Sequence, residues 1–266
     1  MYLNPLKLNI SAIVVGYNEA SLLKGCLNSV SFCDEILYFD LGSIDNSIEI
    51  ATSLNANVIK HDKVPGCEWI HSKYYQSTKH DWVLIIDPDE TINESLIEEI
   101  ILLFSGDQIN HEIASIEVPE IYYFKNHKLS GTPWGVDKSR ILIVNKHRFD
   151  FLPIVHMGRK IKDGFRPFII KFNGSNYINH YWMSSYKQLF EKHKRYLLNE
   201  GKARFNNGEV VSFKKILITP FKQFIVSFIL MKGYRDLLIG FFLSLFWAWY
   251  QTSALIELYK VKNLSR

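Results

Sequence analysis

The sequence predicts an α/β fold with a mostly parallel sheet, followed by a basic, helical C-terminal region. Two patterns support the sheet: short β-branched runs alternate with helical stretches over the first hundred residues, and several of those runs end on an aspartate. A third pattern supports the division: residues 1–185 carry 17 basic and 22 acidic side chains, whereas residues 186–266 carry 14 and 5. We therefore expect two domains, 1–183 and 184–266.

Four predicted strands alternate with four predicted helices. The first strand is a short apolar run rich in β-branched residues, which is typical of a buried parallel strand. Each helix carries apolar residues three or four positions apart, and Ser43 or Asp45 is placed to cap the second helix. In chain order the elements are Ile10–Val15, Ala20–Ser31, Glu35–Asp40, Asn46–Leu54, Ala56–Lys60, Ile70–Thr78, Asp81–Ile86 and Ser95–Phe104.

The middle of the chain has a different pattern. Three further apolar runs, separated by turn residues, predict strands at Ser115–Phe124, Arg140–Asn145 and Phe168–Phe172. The segment Lys125–Asp137 contains Gly, Pro and Trp and predicts a loop. A basic helix is predicted at Tyr186–Asn206.

Composition excludes several classes of protein. Hydrophobic residues make up 47% of the 266 residues and charged residues 22%, so the chain can bury a core and is neither disordered nor collagen-like. Three cysteines without metal-ligand spacing argue against a disulfide scaffold and fit a reducing compartment. Because Met1–Asn9 lacks the apolar stretch and cleavage site of a signal peptide, we expect a cytoplasmic protein.

The carboxyl ends of the predicted strands carry the candidate chemistry. Asp87 and Asp89 follow the strand Asp81–Ile86, and Asp40 ends the second strand. Ligands of open α/β sheets bind beyond these strand ends. Two carboxylates one residue apart there can hold a hard cation such as Mg²⁺ or Mn²⁺ and leave positions for phosphate oxygens. A plain acidic turn is the alternative.

The C-terminal region combines apolar, aromatic and basic residues. Its densest apolar run, Leu237–Tyr250, is uncharged but spans 14 residues, fewer than the roughly 20 that cross a membrane. Basic residues flank the runs, and Trp247 and Trp249 suit a headgroup boundary. This pattern favours a pair of helices lying on a membrane surface over a core hairpin or nucleic-acid binding, with a true span as the remaining option.

Three motifs in order and spacing resemble family 2 glycosyltransferases of GT-A fold. They are SAIVVGYNEASLLKGCLNSV, DEILYFDLGSIDNSIEIA and DWVLIIDPDE, all within residues 8–105. The chain looks most similar to the branch related to lipopolysaccharide-core glycosyltransferases. Weaker likenesses follow in GTPWGVDKSRILIV, PIVH, NHYW and the apolar basic tail.

The resemblance implies the roles of particular residues in donor binding. Tyr17, Glu19 and Asp40 would bind the nucleotide, Lys73 would contact its phosphates, and Asp87 would serve both nucleotide and metal. Asp89 and His180 would complete the site for Mg²⁺ or Mn²⁺. Alternatives remain at several positions: loop packing for Tyr17, a solvated surface lysine for Lys73 and a structural role for His180. Glu90 is expected to orient the turn, Asp45 to cap a helix and Arg140 to pair with an acid.

The resemblance also implies a general base and an acceptor site. Asp137 matches the acid three residues after Trp134, and that tryptophan would carry the acceptor sugar; a surface carboxylate and core packing are the alternatives. The family's Val-His-Glu reads Val155-His156-Met157 here, so one frequent acid is missing and His156 is the other candidate base.

The resemblance predicts an inverting, metal-dependent enzyme that transfers a hexosyl or heptosyl unit. The donor would be a nucleotide-diphosphate sugar, expected to carry UDP, and the acceptor a hydroxyl of a glycan or glycolipid in bacterial surface polysaccharide or lipopolysaccharide synthesis. Such a protein would be peripheral on the cytoplasmic face of the inner membrane. A non-catalytic nucleotide-sugar-binding or scaffold protein is one alternative; a sugar-phosphate nucleotidyltransferase is another, but the loop Gly16–Glu19 lacks its Gly-rich, basic character.

Overall fold

The computed structural model describes residues 7–106, 108–136, 138–152 and 159–264, apart from the side chain of Leu198. The chain forms two compact units: Met1–Glu120 with Ser139–His180, and Ile121–Lys138 with Tyr181–Arg266. Residues 121–138 thus group with the C-terminal part, although the sequence division placed them before residue 183. That division into 1–183 and 184–266 stays a prediction.

Strands and helices alternate at first, and strands dominate the middle of the chain. The strands are β1 Leu8–Gly16, β2 Cys33–Asp40, β3 Asn57–Lys60, β4 Trp82–Ile86, β5 Glu90–Ile92, β6 Ile113–Phe124, β7 His127–Lys128, β8 Lys138–Asn145, β9 Phe149–Phe151, β10 Arg159–Ile161, β11 Arg166–Ile169 and β12 Ile178–Met183. The helices are α1 Ala20–Ser29, α2 Ser47–Ser53, α3 Cys67–Tyr74, α4 Glu94–Ser105, α5 Thr132–Gly135, α6 Tyr186–Asn206, α7 Phe213–Ile225 and α8 Leu237–Leu264.

The main sheet has the strand order β3-β2-β1-β4-β8-β6-β12-β5, with β7 and β11 paired to β6. Strands β3, β2, β1 and β4 are parallel, and β8 joins β4 in the antiparallel sense. Strands β9 and β10 form a separate antiparallel pair. The predicted α/β class is confirmed, and the sheet is mixed because β8 returns against β4.

Strand β1 places its side chains in two separate cores of the first unit. Ile10, Ala12 and Val14 pack in one apolar cluster, and Ile13 and Val15 pack in the other. Successive strand residues point to opposite faces, so a continuous apolar run is required when both faces are covered. This two-sided burial explains why Ile10–Val15 shows no polar alternation.

The second unit is mainly helical. Helix α8 packs against α6 and α7, around a cluster that contains Trp182, Leu243 and Phe246. A π-helical turn, Val226–Leu230, extends α7, and a 3₁₀ turn precedes α8. Both predicted C-terminal helices are therefore present.

Length and composition make one helical segment, Gly233–Leu264, a candidate for crossing a membrane. Its most apolar window has a mean hydropathy of 1.3, and 44% of that window is buried within the protein. A helix with one covered and one open apolar side fits the expected membrane-surface contact, which stays a prediction.

Buried Asp236 holds the turn between α7 and α8 to the segment before α5. Its carboxylate accepts hydrogen bonds from the backbone N–H groups of Ser130 and Gly131, both at 2.8 Å. The ring of His127 lies 3.2 Å from the same carboxylate. These bonds help to explain why residues 121–138, most of which fall in the predicted loop Lys125–Asp137, belong to the C-terminal unit.

Candidate functional site

The carboxyl ends of three neighbouring strands form one edge of the sheet in the first unit. Gly16 at the end of β1 is paired with Asp40 of β2, and Val14 is paired with Ile86 of β4, directly before Asp87. Strands β2 and β4 flank β1, so their ends lie about 10 Å apart. The sheet therefore brings the two predicted acids to the same edge, on either side of β1.

Asp40 is buried beneath the loop that follows β2. Its carboxylate accepts hydrogen bonds from the backbone N–H groups of Gly42 and Ser43, at 3.1 Å each. Gly42 has a φ of +85°, which favours glycine and lets the chain turn back over the carboxylate. The acid at the end of β2 thus shapes the loop where a nucleotide would bind.

Two loops at this edge are joined by side-chain hydrogen bonds. The Asn18 side-chain oxygen accepts from the N–H of Ile44 at 2.8 Å, and the Asn18 N–H donates to Ser43 Oγ at 2.9 Å. Asp45 accepts from the N–H of Ala20 at 3.1 Å, at the start of α1. Asp45 also accepts from the N–H of Ser47 at 3.1 Å, at the start of α2, but the residue at the N-cap position of α2 is Asn46 and not Asp45.

An aromatic side chain lies exposed on the first loop. Tyr17 is 40% exposed, and the Lys63 ammonium lies 3.8 Å from the centre of its ring. A hydrogen bond from Lys63 and its positive charge lower the pKa of Tyr17. The neighbouring Glu19 N–H donates to Ser47 Oγ at 3.0 Å. An open ring beside a cation is suited to stacking on a base near a phosphate.

Glu90 fixes the turn after β4. Its carboxylate accepts from the N–H of Asp87 at 2.9 Å and pairs with Arg140, which also donates to the carbonyl of Ile85 at 3.0 Å. Burial raises the pKa of Glu90 to about 7, against the lowering effect of the Arg140 charge. These contacts agree with the expected roles of Glu90 in orienting the turn and of Arg140 in pairing with an acid.

His180 on β12 joins the acids at this turn. Its Nδ1 lies 2.9 Å from a carboxylate oxygen of Glu120, and its Nε2 lies 3.5 Å from one of Asp89. Burial opposes a charged ring, but the hydrogen bonds of Asp89 and Glu120, with the nearby Glu90 charge, raise the pKa of His180 to about 10. The ring is therefore a cation at neutral pH, held among carboxylates.

The donor set at this turn fits a hard divalent cation. Glu90, Glu120 and His180 each place one ligand atom within 4.8 Å of the others. This cluster includes His180 of the predicted metal site, and the roles predicted for Asp87 and Asp89 stay predictions. Among the described residues, the Asp87 carboxylate receives no hydrogen bond or ion pair. Such a half-buried carboxylate beside a second one is suited to Mg²⁺ or Mn²⁺.

Seven of the predicted site residues are described residues of the first unit. They are Tyr17, Glu19, Asp40, Lys73, Asp87, Asp89 and His180. Lys73 lies exposed on the last turn of α3, with its ammonium 5.0 Å from the ring of Tyr74. The roles assigned to these residues stay predictions.

The other three predicted residues have different settings. Trp134 belongs to the second unit, where its ring stacks on Trp182 at a centroid distance of 4.6 Å and meets Trp247 edge-on at 5.5 Å. These contacts use Trp134 in packing, and its predicted acceptor role stays a prediction. The candidate bases Asp137 and His156 lie outside the described residues.

Sequence reasoning missed Glu120 and Arg159. Glu120 comes near His180 only through the pairing of distant strands, so no local motif marks it. Arg159 begins β10; burial and the charge of Arg140 lower its pKa, while the charge of Asp87 raises it. A second guanidinium, besides that of Arg140, therefore interacts electrostatically with the acidic turn, residues 87–90.

Some known proteins align with less than half of this chain, and another aligns with nearly all of it. An uncharacterized glycosyltransferase of Rickettsia bellii is 33% identical over 108 residues, which cover 40% of this chain and 36% of that protein. The chain thus spans about a third of the length of such relatives. An uncharacterized glycosyltransferase of Rickettsia typhi is 25% identical over 265 residues, covering 96% of this chain and 87% of that protein.

Among solved structures, the chain is similar to the glucosyl-3-phosphoglycerate synthase of Mycobacterium tuberculosis in complex with Mn²⁺, UDP and glucosyl-3-phosphoglycerate. The identity is 22%, the TM-score is 0.34, and the match covers 43% of this chain and 44% of that one. The family model of glycosyl transferase family 2 matches residues 11–187, which contain most of β1, the strands β2 to β12 and the acidic turn. With the site residues carried on that matched segment, the chain belongs to glycosyl transferase family 2.

Proposed function

We propose that this chain is an inverting glycosyltransferase that moves a sugar from a UDP-sugar to a hydroxyl of a glycan or glycolipid acceptor. The observation that carries the proposal is the placement of Asp40 and Asp87 on either side of β1 at one sheet edge. Family membership supports glycosyl transfer. The acids and the open aromatic ring beside this edge support a nucleotide diphosphate as the part of the donor that the protein holds.

We assign nucleotide recognition to the two linked loops. Tyr17 would stack on the base, while Glu19 and Asp40 would accept hydrogen bonds from base N–H or ribose hydroxyl groups. The Lys63 ammonium beside Tyr17 supports a neighbouring negative charge, and Lys73 would contact the diphosphate. The hydrogen bond between Asn18 and Ile44 would hold the two loops in place before the nucleotide arrives.

Asp87, Asp89 and His180 would hold Mg²⁺ or Mn²⁺. The chemistry supplied by that ion is neutralisation of the negative charge that develops on the departing diphosphate. The protein's own part is to orient these ligands: Glu90 fixes the backbone of Asp87, and Glu120 fixes the ring of His180. Deprotonation of the His180 ring would precede its use as a ligand.

The transfer step would be a single displacement. The acceptor oxygen attacks the anomeric carbon, the bond from that carbon to the diphosphate oxygen breaks, and the nucleoside diphosphate leaves with the electron pair. The acceptor's proton passes to Asp137, with His156 as the second candidate base. One displacement at this carbon inverts its configuration. Trp134 would provide the apolar face for the acceptor sugar.

The C-terminal helices would place the enzyme on the cytoplasmic face of the inner membrane. Phe213, Phe221, Leu230, Leu237 and Leu238 are each at least 65% exposed, an apolar surface unlike that of a soluble monomer. Basic side chains accompany it, which supports contact with anionic lipid. An acceptor linked to lipid would fit this location, and bacterial surface polysaccharide or lipopolysaccharide is the proposed destination.

A donor screen by nucleotide release tests the proposal. UDP-sugars are supplied with Mg²⁺, Mn²⁺ or a chelator, and the Asp89→Asn variant is compared with Asp163→Asn, an exposed aspartate of the same unit. We expect Asp89→Asn to lose about 100-fold or more of the metal-dependent rate and Asp163→Asn to keep it. Binding of UDP by calorimetry without any turnover would instead favour the non-catalytic alternative.

A further inference from the structure

A cavity in the C-terminal unit is lined by an excess of positive charge. It has a volume of about 430 Å³ and lies among the end of α6, the start of α7 and the later part of α8. Four cationic side chains and one carboxylate line it: Arg204, Lys214, Lys215, Lys222 and Glu209. None of these residues belongs to the donor site described above.

Only part of this charge is compensated within the protein. Arg204 pairs with Glu200 at 2.9 Å and with Glu209 at 3.5 Å, and Lys215 pairs with Glu209 at 2.9 Å. In the described part of the chain, Lys214 and Lys222 make no ion pair. Like charges gathered around one cavity repel each other, and an anion inside it would remove that repulsion.

Two amide side chains add hydrogen-bond donors to the cavity. The side-chain oxygen of Gln251 accepts from Arg204 at 3.0 Å, and that of Gln223 accepts from the indole N–H of Trp247 at 3.2 Å. With both oxygens occupied, each amide turns its –NH₂ group to other acceptors. Cations together with such donors suit the oxygens of a phosphate group.

A separate apolar groove lies between the same two helices. Its volume is about 440 Å³, and it is lined by Phe221, Phe224 and Ile225 of α7 and by Leu245 and Trp249 of α8. On α7 the groove residues and the cavity residues lie on different faces of the helix. The helix pair therefore carries a cationic cavity and, separately, an open apolar surface.

We propose that this cavity binds the phosphate of an anionic phospholipid in the membrane that the exposed apolar residues of the same helices contact. The inference rests on the membrane contact proposed above and names the group that the C-terminal helices recognise. The positive charge of the cavity favours an anion as its ligand. The apolar groove and the exposed apolar residues near it favour a lipid over free phosphate. The site would dock the protein by the headgroup as well as by apolar burial.

Vesicle flotation with the full chain tests this inference. Vesicles of phosphatidylcholine alone are compared with vesicles containing phosphatidylglycerol. The variant Lys214→Gln/Lys222→Gln removes the two uncompensated charges, and Lys194→Gln/Lys202→Gln removes two exposed charges of α6 outside the cavity. We expect the first variant to bind phosphatidylglycerol vesicles about 30-fold more weakly, and the second to stay within about threefold of the wild type.

Three outcomes would overturn the inference. If both double variants bound phosphatidylglycerol vesicles equally weakly, binding would depend on diffuse positive charge and not on this cavity. Release of the protein from vesicles by millimolar inorganic phosphate or glycerol 3-phosphate would mean that the cavity takes free phosphate. Failure of the wild type to bind either vesicle would remove the membrane contact as well. Nucleotide release without vesicles reports on sugar transfer separately, and circular dichroism checks that the exposed lysine substitutions leave the helices intact.

Discussion

Replacing Arg140 by methionine tests how the acidic turn is held. The arginine side chain is 13% exposed and that of Glu90 is fully buried, so the substitution leaves a buried carboxylate without its cation. Removing one partner of such a pair costs about 3–5 kcal/mol of unfolding free energy. The lost hydrogen bond to the Ile85 carbonyl is part of that figure.

The loss of unfolding free energy in Arg140→Met should be larger at high pH than at low pH. Burial raises the folded pKa of Glu90 to about 7 from its ordinary value of 4.5, so its contribution favours folding below about pH 4.5 and is lost as the pH rises through 7. Without the Arg140 charge this pKa rises further. At pH 5 Glu90 is protonated in both proteins, and Arg140→Met should cost only about 1–2 kcal/mol. At pH 8 the full cost should be seen.

Urea unfolding followed by tryptophan fluorescence at pH 5 and pH 8 measures both costs. The double variant Glu90→Gln/Arg140→Met carries no buried charge at this pair and should be more stable at pH 8 than Arg140→Met alone, by about 1–3 kcal/mol. An Arg140→Met protein with an unchanged midpoint at pH 8, or with the same loss at both pH values, would refute the role assigned to the pair.

Three further changes test other parts of the protein. His180→Gln should weaken Mn²⁺ binding about 10- to 100-fold in a calorimetric titration; unchanged affinity would exclude the ring as a ligand. Asn18→Ala removes the bond to Ile44 and puts alanine at a φ of 58°, so UDP binding should weaken by about tenfold, and Asn18→Gly, which tolerates that backbone, should lose less. Asp236→Asn should lower the unfolding free energy by about 2–4 kcal/mol, because an amide serves the N–H groups of Ser130 and Gly131 less well; equal thermal midpoints would contradict this.

Strands with a clear local signal could be predicted from sequence. In the run Ile10–Val15 only Ser11 is polar. Strand β1 extends this run by two residues at its start and by one at its end. The acid at the end of β2 and the pair after β4 lie at one edge because both strands are parallel to β1. Because parallel strands bring these ends to one edge of the sheet, the three acids could be predicted to form one site.

Features built from distant pairings could not be predicted in this way. Strands β9 and β10 have three residues each, too short for a periodic pattern. Glu120 meets His180 across 60 residues of chain, and Asp236 meets Gly131 across 105, so neither contact has a signature in local spacing. The short helix α5 begins within a segment whose Gly and Pro content indicates a loop.

The hydrogen bonds of Asp236 affect how this protein could be shortened. Cutting the chain before α7 to obtain a more tractable protein would also remove the acceptor for two backbone N–H groups at Ser130 and Gly131. Each orphaned donor would have to find water or a new partner. We therefore expect a chain shortened before α7 to be less stable than the full chain unless the segment around residue 130 is redesigned as well.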